Sequence, residues 1–329
     1  MVTRRSILQA GIAGGAALFS GLPSAVLAQG TYPARAVKII VPVSPGGLAD
    51  IIARTAAERM QARSGQTFVV DYVVGAGGSV GTQAMIRAEP DGYTLSLVTE
   101  TLLLVNPHLY PNIDYSFADV APVGIVATAP LLILVPQQSP VRTLEDLISN
   151  AREAPGSLTY GSSGPGTMPH LVMHLLCKEA GIEMLHIPYG GGGASVTDLT
   201  AGRLDALAAG AALVAGSLGD GSPLRAIAVS GAERLPDFPD VPPVAESGLP
   251  GFGVSAWWGL AAPAGTPPDI VAQLNEWLSL DGSSEAELAR LSEAHLDPTF
   301  IGATAMTDSL AAEAPRWERI VSELDINQG

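Results

Sequence analysis

The stretch Val37-Lys38-Ile39-Ile40-Val41-Pro42-Val43-Ser44-Pro45-Gly46-Gly47-Leu48-Ala49-Asp50-Ile51-Ile52 decides the fold. Its first part is apolar, β-branched and of strand length, and the run from Pro42 to Gly47 stops it. Over residues 50–63, Ile51, Ile52, Thr55, Ala56 and Met60 recur at helical spacing. A strand, a glycine-rich turn and a helix make one step of an alternating α/β chain. The step repeats at once: residues 67–74 read as a strand that enters Gly75-Ala76-Gly77-Gly78-Ser79-Val80-Gly81, residues 82–87 as a helix, and 93–98 as a third strand. The pattern predicts a mostly parallel sheet with helices on its faces. Ligands of such sheets bind beyond the carboxyl ends of the strands, where both turns lie.

A second α/β unit follows. Residues 123–135 hold two apolar stretches separated by Thr128-Ala129-Pro130. Thr143 is placed to cap a helix opening Leu144-Glu145-Asp146. Residues 158–160 read as a strand, 161–167 as a Gly/Ser turn, 168–180 as a helix and 182–189 as a strand. Gly190 to Gly193, a helix over 194–201 and a strand over 224–230 complete the unit. Residues 254–262 are apolar and cross back to the first unit. Pro267-Pro268-Asp269 opens a helix, and the tail reads as helical to about residue 325. The expected fold is two α/β domains, 31–127 with 254–329 and 128–253, enclosing a cleft.

Length and composition agree. A chain of 329 residues, 47% hydrophobic and 15% charged, has the material for two sizeable cores. The first 28 residues read as a signal peptide: Arg4 and Arg5, an apolar run over 7–22, and Val26-Leu27-Ala28 for cleavage near Ala28. Thr3-Arg4-Arg5-Ser6-Ile7-Leu8 fits a twin-arginine signal as well as an ordinary secretory one. A net charge of −15, made more negative when Arg4 and Arg5 leave, opposes nucleic acid and anionic lipid as partners. The single cysteine, Cys177, precludes an intramolecular disulfide and reads as a small buried apolar residue.

The four turns at 44–50, 75–81, 161–167 and 190–193 carry the chemistry. Glycine lets backbone approach a ligand, and helix N-termini offer unpaired N–H groups and a positive dipole end. Such turns bind carboxylates without basic side chains. The rival features are weaker. Gly77-Gly78-Ser79-Val80-Gly81 matches a nucleophile elbow, which makes an exported serine hydrolase using Ser79 the alternative function. Gly75, Gly77 and Gly81 match a dinucleotide loop loosely, with no acidic residue in the expected place. His170, His174 and Cys177 share a helix face, yet no Glu follows His170, so packing is the better reading than metal. Trp257-Trp258 likewise reads as packing at the crossover. No catalytic set, metal or cofactor is expected, and the protein reads as a non-enzyme.

Several runs carry a family resemblance. Ile40 through Asp50, Gly75-Ala76-Gly77-Gly78, Pro90-Asp91-Gly92-Tyr93, Asn106-Pro107-His108-Leu109-Tyr110, Tyr160 through Thr167, and His186-Ile187-Pro188-Tyr189 resemble the substrate-binding proteins of tripartite tricarboxylate transporters, the Bug family. Asp240 through Gly251, Trp257-Trp258-Gly259-Leu260 and Ala262 through Pro267 do so too, in order, over nearly the whole mature chain. The resemblance implies a monomeric two-domain periplasmic binding protein of type II-like fold. It would close on a carboxylate like a flytrap, without a dedicated Arg, and serve membrane transporter subunits or a sensor. By position it implies ligand contacts from Ser44, Pro45, Gly46, Gly47, Ala49 and Asp50 on one wall. The opposing wall is Ser162, Ser163, Gly164, Gly166 and Thr167, with His170 behind. Ser79, Thr99, Glu100, Tyr189, Gly190 and Gly191 complete the pocket. The chain departs from the family at Leu48-Ala49, where a Ser-Thr pair is usual, and at Tyr72-Val73-Val74, in place of Asn-Arg-Pro. Glu100 either faces the cleft, disfavouring a second carboxylate there, or points to solvent.

Overall fold

The computed structural model describes residues 32–219, 221–281 and 283–324; the leader read at residues 1–28 lies outside them. From Arg35 onward the described residues form one compact body. The first part comprises β1 (Val37–Val41), α1 (Leu48–Ser64), β2 (Phe68–Tyr72), α2 (Ser79–Ile86), β3 (Thr94–Val98), α3 (Asn106–Leu109) and β4 (Val120–Pro136). Next come α4 (Leu144–Glu153), β5 (Thr159–Ser162), α5 (Met168–Ala180), β6 (Leu185–Pro188), α6 (Gly192–Thr200), β7 (Ala206–Gly210), α7 (Ala211–Val214) and β8 (Leu224–Val229). The chain returns through β9 (Ser255–Pro263), α8 (Pro268–Leu278), α9 (Glu285–Glu293), β10 (Asp297–Gly302) and α10 (Ala303–Glu323).

Local chemistry explains the boundaries. Thr143 caps α4: its Oγ1 accepts the Asp146 N–H at 3.2 Å, and Asp146 Oδ2 accepts the Thr143 N–H at 3.1 Å. A reciprocal cap of this kind contributes about 1 kcal/mol. Helix α4 buries Leu144, Leu147, Ile148 and Ala151 along one stripe. Helix α1 stops at Gly65, whose φ of 71° is left-handed.

The strands run in the order β2-β1-β3-β9-β4-β7-β5-β6, with β8 and β10 also on β4. The parallel expectation holds for the outer strands: β1 pairs β2 and β3 in parallel, and β5 pairs β6 and β7 in parallel. The centre corrects it. Strand β9 runs antiparallel to β3 and β4, and β4 runs antiparallel to β7, β8 and β10. The cause is β4 itself. Instead of two stretches broken at Thr128-Ala129-Pro130, it is one strand of 17 residues. Up to Pro130 it pairs β9, and from Leu131 it pairs β7. Pro130 lacks an N–H and sits where the partner changes, the place a strand tolerates proline.

Ser230, fully buried, ties this changeover down. Its Oγ accepts the Leu131 N–H at 2.8 Å and donates to Val254 O at 2.7 Å. The tail also differs from its helical reading. Residues 297–302 form β10, antiparallel to β4 from Thr128 to Gly124, an edge addition whose residues are only partly buried. Side-chain alternation along β4 feeds two cores. Leu131, Ile133 and Val135 join the larger one, which runs from Ile40 to Leu171, Leu176 and Trp317. Leu132 and Leu134 join the smaller one with Leu199, Leu207 and Val229. Cys177 is buried, and desolvation pushes its thiol up to about 12, so it acts as an apolar filler.

Candidate functional site

The first wall is the turn between β1 and α1. Ser44, Pro45, Gly46 and Gly47 are exposed, and Leu48, Ala49 and Asp50 are half-buried. Helix α1 begins without a side-chain cap. Among the described residues no acceptor stands against the Leu48 and Ala49 N–H groups, as expected for a first helical turn. Asp50 shapes this wall. Its Oδ2 accepts the Gly46 N–H at 2.9 Å, and its Oδ1 accepts the Tyr72 hydroxyl and Arg54 Nε, each at 2.6 Å. Arg54 also donates to the Tyr72 hydroxyl oxygen at 2.7 Å. The Tyr72 bond, with those from Gly46 and Arg54, holds the Asp50 carboxyl below the usual carboxylate range. Asp50 is thus an ionised brace with both oxygens engaged.

The second turn packs against the first. A Cβ on Gly78 would lie 2.8 Å from Leu102 Cδ2, and one on Gly81 only 2.5 Å from Val73 O and 2.9 Å from Pro42 Cβ, so no side chain fits. Ser79 is buried, and its Oγ accepts from Asn106 Nδ2 at 3.1 Å. The bonding partner is an amide instead of a histidine, which removes the geometric basis for a Ser79 nucleophile.

Thr99, half-buried, accepts the Leu102 N–H on its Oγ1 at 3.3 Å where a π-helical turn, Thr101–Val105, begins. Glu100 corrects both readings offered for it, since it meets neither cleft nor solvent. It is 2% exposed, and its Oε2 accepts the Trp257 N–H of β9 at 3.1 Å, beyond the end of the β3–β9 pairing. Desolvation, with the nearby Glu313 adding to it, pushes its carboxyl up to about 8. It is therefore mostly protonated at neutral pH and adds no charge to the walls.

The turn expected to form the opposing wall lies between β5 and α5. Most of its donors are spent internally. Gly164 N–H donates to Ser162 Oγ at 3.1 Å, Gly166 N–H to His170 Nδ1 at 3.1 Å, and Thr167 N–H to Gly164 O at 3.4 Å. Ser162 is fully buried, and its Oγ lies 2.7 Å from His186 Nε2. The rings of His170 and His186 stack with centroids 3.8 Å apart at 8°, and Tyr160 stacks on His186 at 5.0 Å. Desolvation, then neighbouring histidines, pushes His170 down to about 3 and His186 to about 4. Ser162 and His170 therefore support the loop from behind; Ser163 and Thr167, hydrogen-bonded to each other, remain half-exposed.

Beside this loop, Tyr189 N–H donates to Ser162 O, and its hydroxyl donates to Asp198 Oδ2 at 2.7 Å. Arg203 pairs with the same carboxylate. Gly190 is exposed and Gly191 half-buried. Among the described residues, the N–H groups of Gly190 to Gly193 meet no acceptor. The segment 101–109 links the two halves: Asn106 holds Ser79, while a Cβ on Gly166 would lie 2.3 Å from Leu109 Cδ2.

Arg54, Tyr72, Asn106 and His186 are absent from the sequence reading of the site. Asn106 and His186 lie inside motifs quoted there, but their bonding partners are 27 and 24 residues away. Among the described residues there is no metal-binding group of three or more His, Cys, Asp or Glu, and no helix long and apolar enough to cross a membrane. A surface hollow of about 450 Å³ between α8 and the start of α10 shares no residue with the four turns.

Comparison with known proteins places these turns in context. A family model described as a tripartite tricarboxylate transporter family receptor matches residues 52–326. Protein BugT of Bordetella pertussis is 34% identical, with 92% of this chain and 93% of BugT covered. The R. palustris protein Rpa4515, solved with adipate, superposes with a TM-score of 0.74 at 32% identity, covering 88% of this chain and 97% of its own. MatC from Rhodopseudomonas palustris, solved with bound malate, gives a TM-score of 0.71 at 29% identity, covering 88% and 100%.

Proposed function

The chain belongs to the tripartite tricarboxylate transporter receptor family, and from that premise we propose that it captures a small organic acid between two lobes and delivers it to a membrane transporter. The lobes are residues 31–127 with 254–329, and residues 128–253, hinged where β4 and β9 pass between them. Export to the periplasm with cleavage near Ala28, action as a monomer, and binding without catalysis or cofactor belong to the same reading. One observation carries it: both halves present glycine-rich turns at the carboxyl ends of their strands, where the N–H groups of Leu48 and Ala49 and of Gly190 to Gly193 meet no acceptor among the described residues. Ser44 to Gly47, Ala49, Ser163, Thr167, Gly190 and Gly191 touch the ligand, and Thr99 lies at the floor. The two relatives solved with adipate and malate hold carboxylates, which supports a carboxylate here.

Titration calorimetry with a panel of mono-, di- and tricarboxylates tests the reading. The expected result is saturable one-to-one binding by at least one member. A raised melting temperature should accompany it, because a ligand selective for the folded state stabilises it by mass action. Small-angle scattering should show a smaller radius of gyration on binding as the lobes close. A panel with no binder at all overturns the proposal.

A further inference from the structure

The walls differ from a hydroxyl-rich carboxylate site in what surrounds the N–H donors. Val43 follows the carboxyl end of β1, Val74 follows that of β2, and Val80 opens α2; they are 38%, 53% and 46% exposed. On the other half, Leu213 follows β7 and is 48% exposed. Each of the last two lies directly on a glycine turn. Val80 Cγ2 is 2.9 Å from where a Gly75 Cβ would be, and Leu213 Cδ2 is 2.7 Å from where a Gly192 Cβ would be. Leu48 stands with Ala49 at the opening of α1, beside the free donors. Of the other exposed large apolar residues, Val69 and Leu185 lie on the outermost strands β2 and β6, and Tyr110 ends α3. Large apolar side chains left in water beside three of the glycine turns offer carbon for a ligand to cover.

Charge points the same way. Arg54 is the cation at the first turn, and Asp50 neutralises it. His170 and His186 are uncharged at neutral pH, and Glu100 is sealed under Trp257. The ligand's charge is then met by backbone N–H groups, and its body by aliphatic carbon.

Resting on the carboxylate-receptor reading above, we propose that the ligand is a carboxylate with a hydroxyl-free apolar body, aryl or plain alkyl. Hydroxylated acids of the malate and citrate kind are disfavoured. A hydroxyl buried against Leu48, Val43 or Val80 gives up water and gains no partner, which weakens binding by about tenfold or more. An aryl or alkyl body releases water from both surfaces.

The test is calorimetry on the mature chain with hexanoate, benzoate and adipate against malate and citrate. At least one of the first three should bind about tenfold tighter than either hydroxy acid. The double variant Leu48→Ser, Ala49→Thr should narrow that ratio by gaining malate. Val74→Ser and Val80→Ser, at exposed positions, should keep the unliganded melting temperature and lose severalfold affinity for hexanoate or benzoate. Malate or citrate binding as tightly as the apolar acids overturns the proposal while the receptor reading stands. Unchanged affinity in both valine variants overturns the rim assignment. Binding of no carboxylate overturns the receptor reading together with it.

Discussion

Gly46 and Gly166 occupy matching places in the two walls. Each lies in the left-handed region, with φ of 92° and 72°, and each donates its N–H to the side chain four residues further on. The acceptors are chemically opposite. Asp50 is an ionised carboxylate braced by Tyr72 and Arg54 at the surface; His170 is a neutral imidazole stacked on His186 in the interior. The same turn geometry is thus held in one wall by charge near water and in the other by packing away from it. An exposed brace contributes little to stability and much to local shape. A buried acceptor contributes heavily, because its loss strands an N–H and opens a void.

Replacing each acceptor separates the two walls. His170→Ala should have the largest effect, about 2–4 kcal/mol by denaturant unfolding, from a stranded Gly166 N–H and the space beside His186. A loss under about 1 kcal/mol would show that the stack is passive.

Glu100 bears on the joint between the walls. Its folded pKa lies above the unfolded one, so its stabilisation is complete below 4.5 and is lost as pH rises toward and past 8. Above pH 6.5, where His170 and His186 no longer titrate, the wild type should weaken as pH rises to 8 by up to about 1.4 kcal/mol per pH unit, and Glu100→Gln should be flatter. Parallel curves for the two proteins would refute the burial argument.

Asp50→Asn should have the smallest effect on stability. For the histidines the folded pKa is below the unfolded one, so their contribution is complete above 6.5 and falls as pH drops toward 4 and 3. For Asp50 the loss begins only below about 3.8. Between pH 6.5 and 4 the Asp50→Asn curve should follow the wild type, both declining, and part from it only in stronger acid. A wild-type curve flat over that interval would contradict the neutral stack.

Much of this was readable from the chain. Helix α5 runs from Met168 to Ala180 as its spacing predicts, and Thr143 caps α4 as its sequence predicts. Those features depend on neighbours within a turn of helix. The features that escaped depend on distant partners. Pro130 reads as a break because nothing local says that β4 changes partner there. Strand β10 is short and partly buried, and only pairing with β4 identifies it. The positions of the wall turns were legible, but their supports were not: Tyr72 reaches Asp50 across 22 residues, and His186 reaches Ser162 across 24. Glu100 could not be placed because its acceptor role is set by Trp257, 157 residues away.

Strand β4 has a consequence for how the molecule comes apart. Its seventeen residues pair β9 and β10 at one end and β7 and β8 at the other, and alternate side chains from Leu131 to Val135 enter two different cores. A cut at 127/128 would leave each half holding a frayed fragment of its own central strand, with Val254 deprived of Ser230. Neither half is then an autonomous folding unit, although each is built on its own strands and helices. On the two-lobe proposal the halves swing in the native state, yet they should still melt in a single cooperative transition, because the strand that joins them is also the one neither can do without.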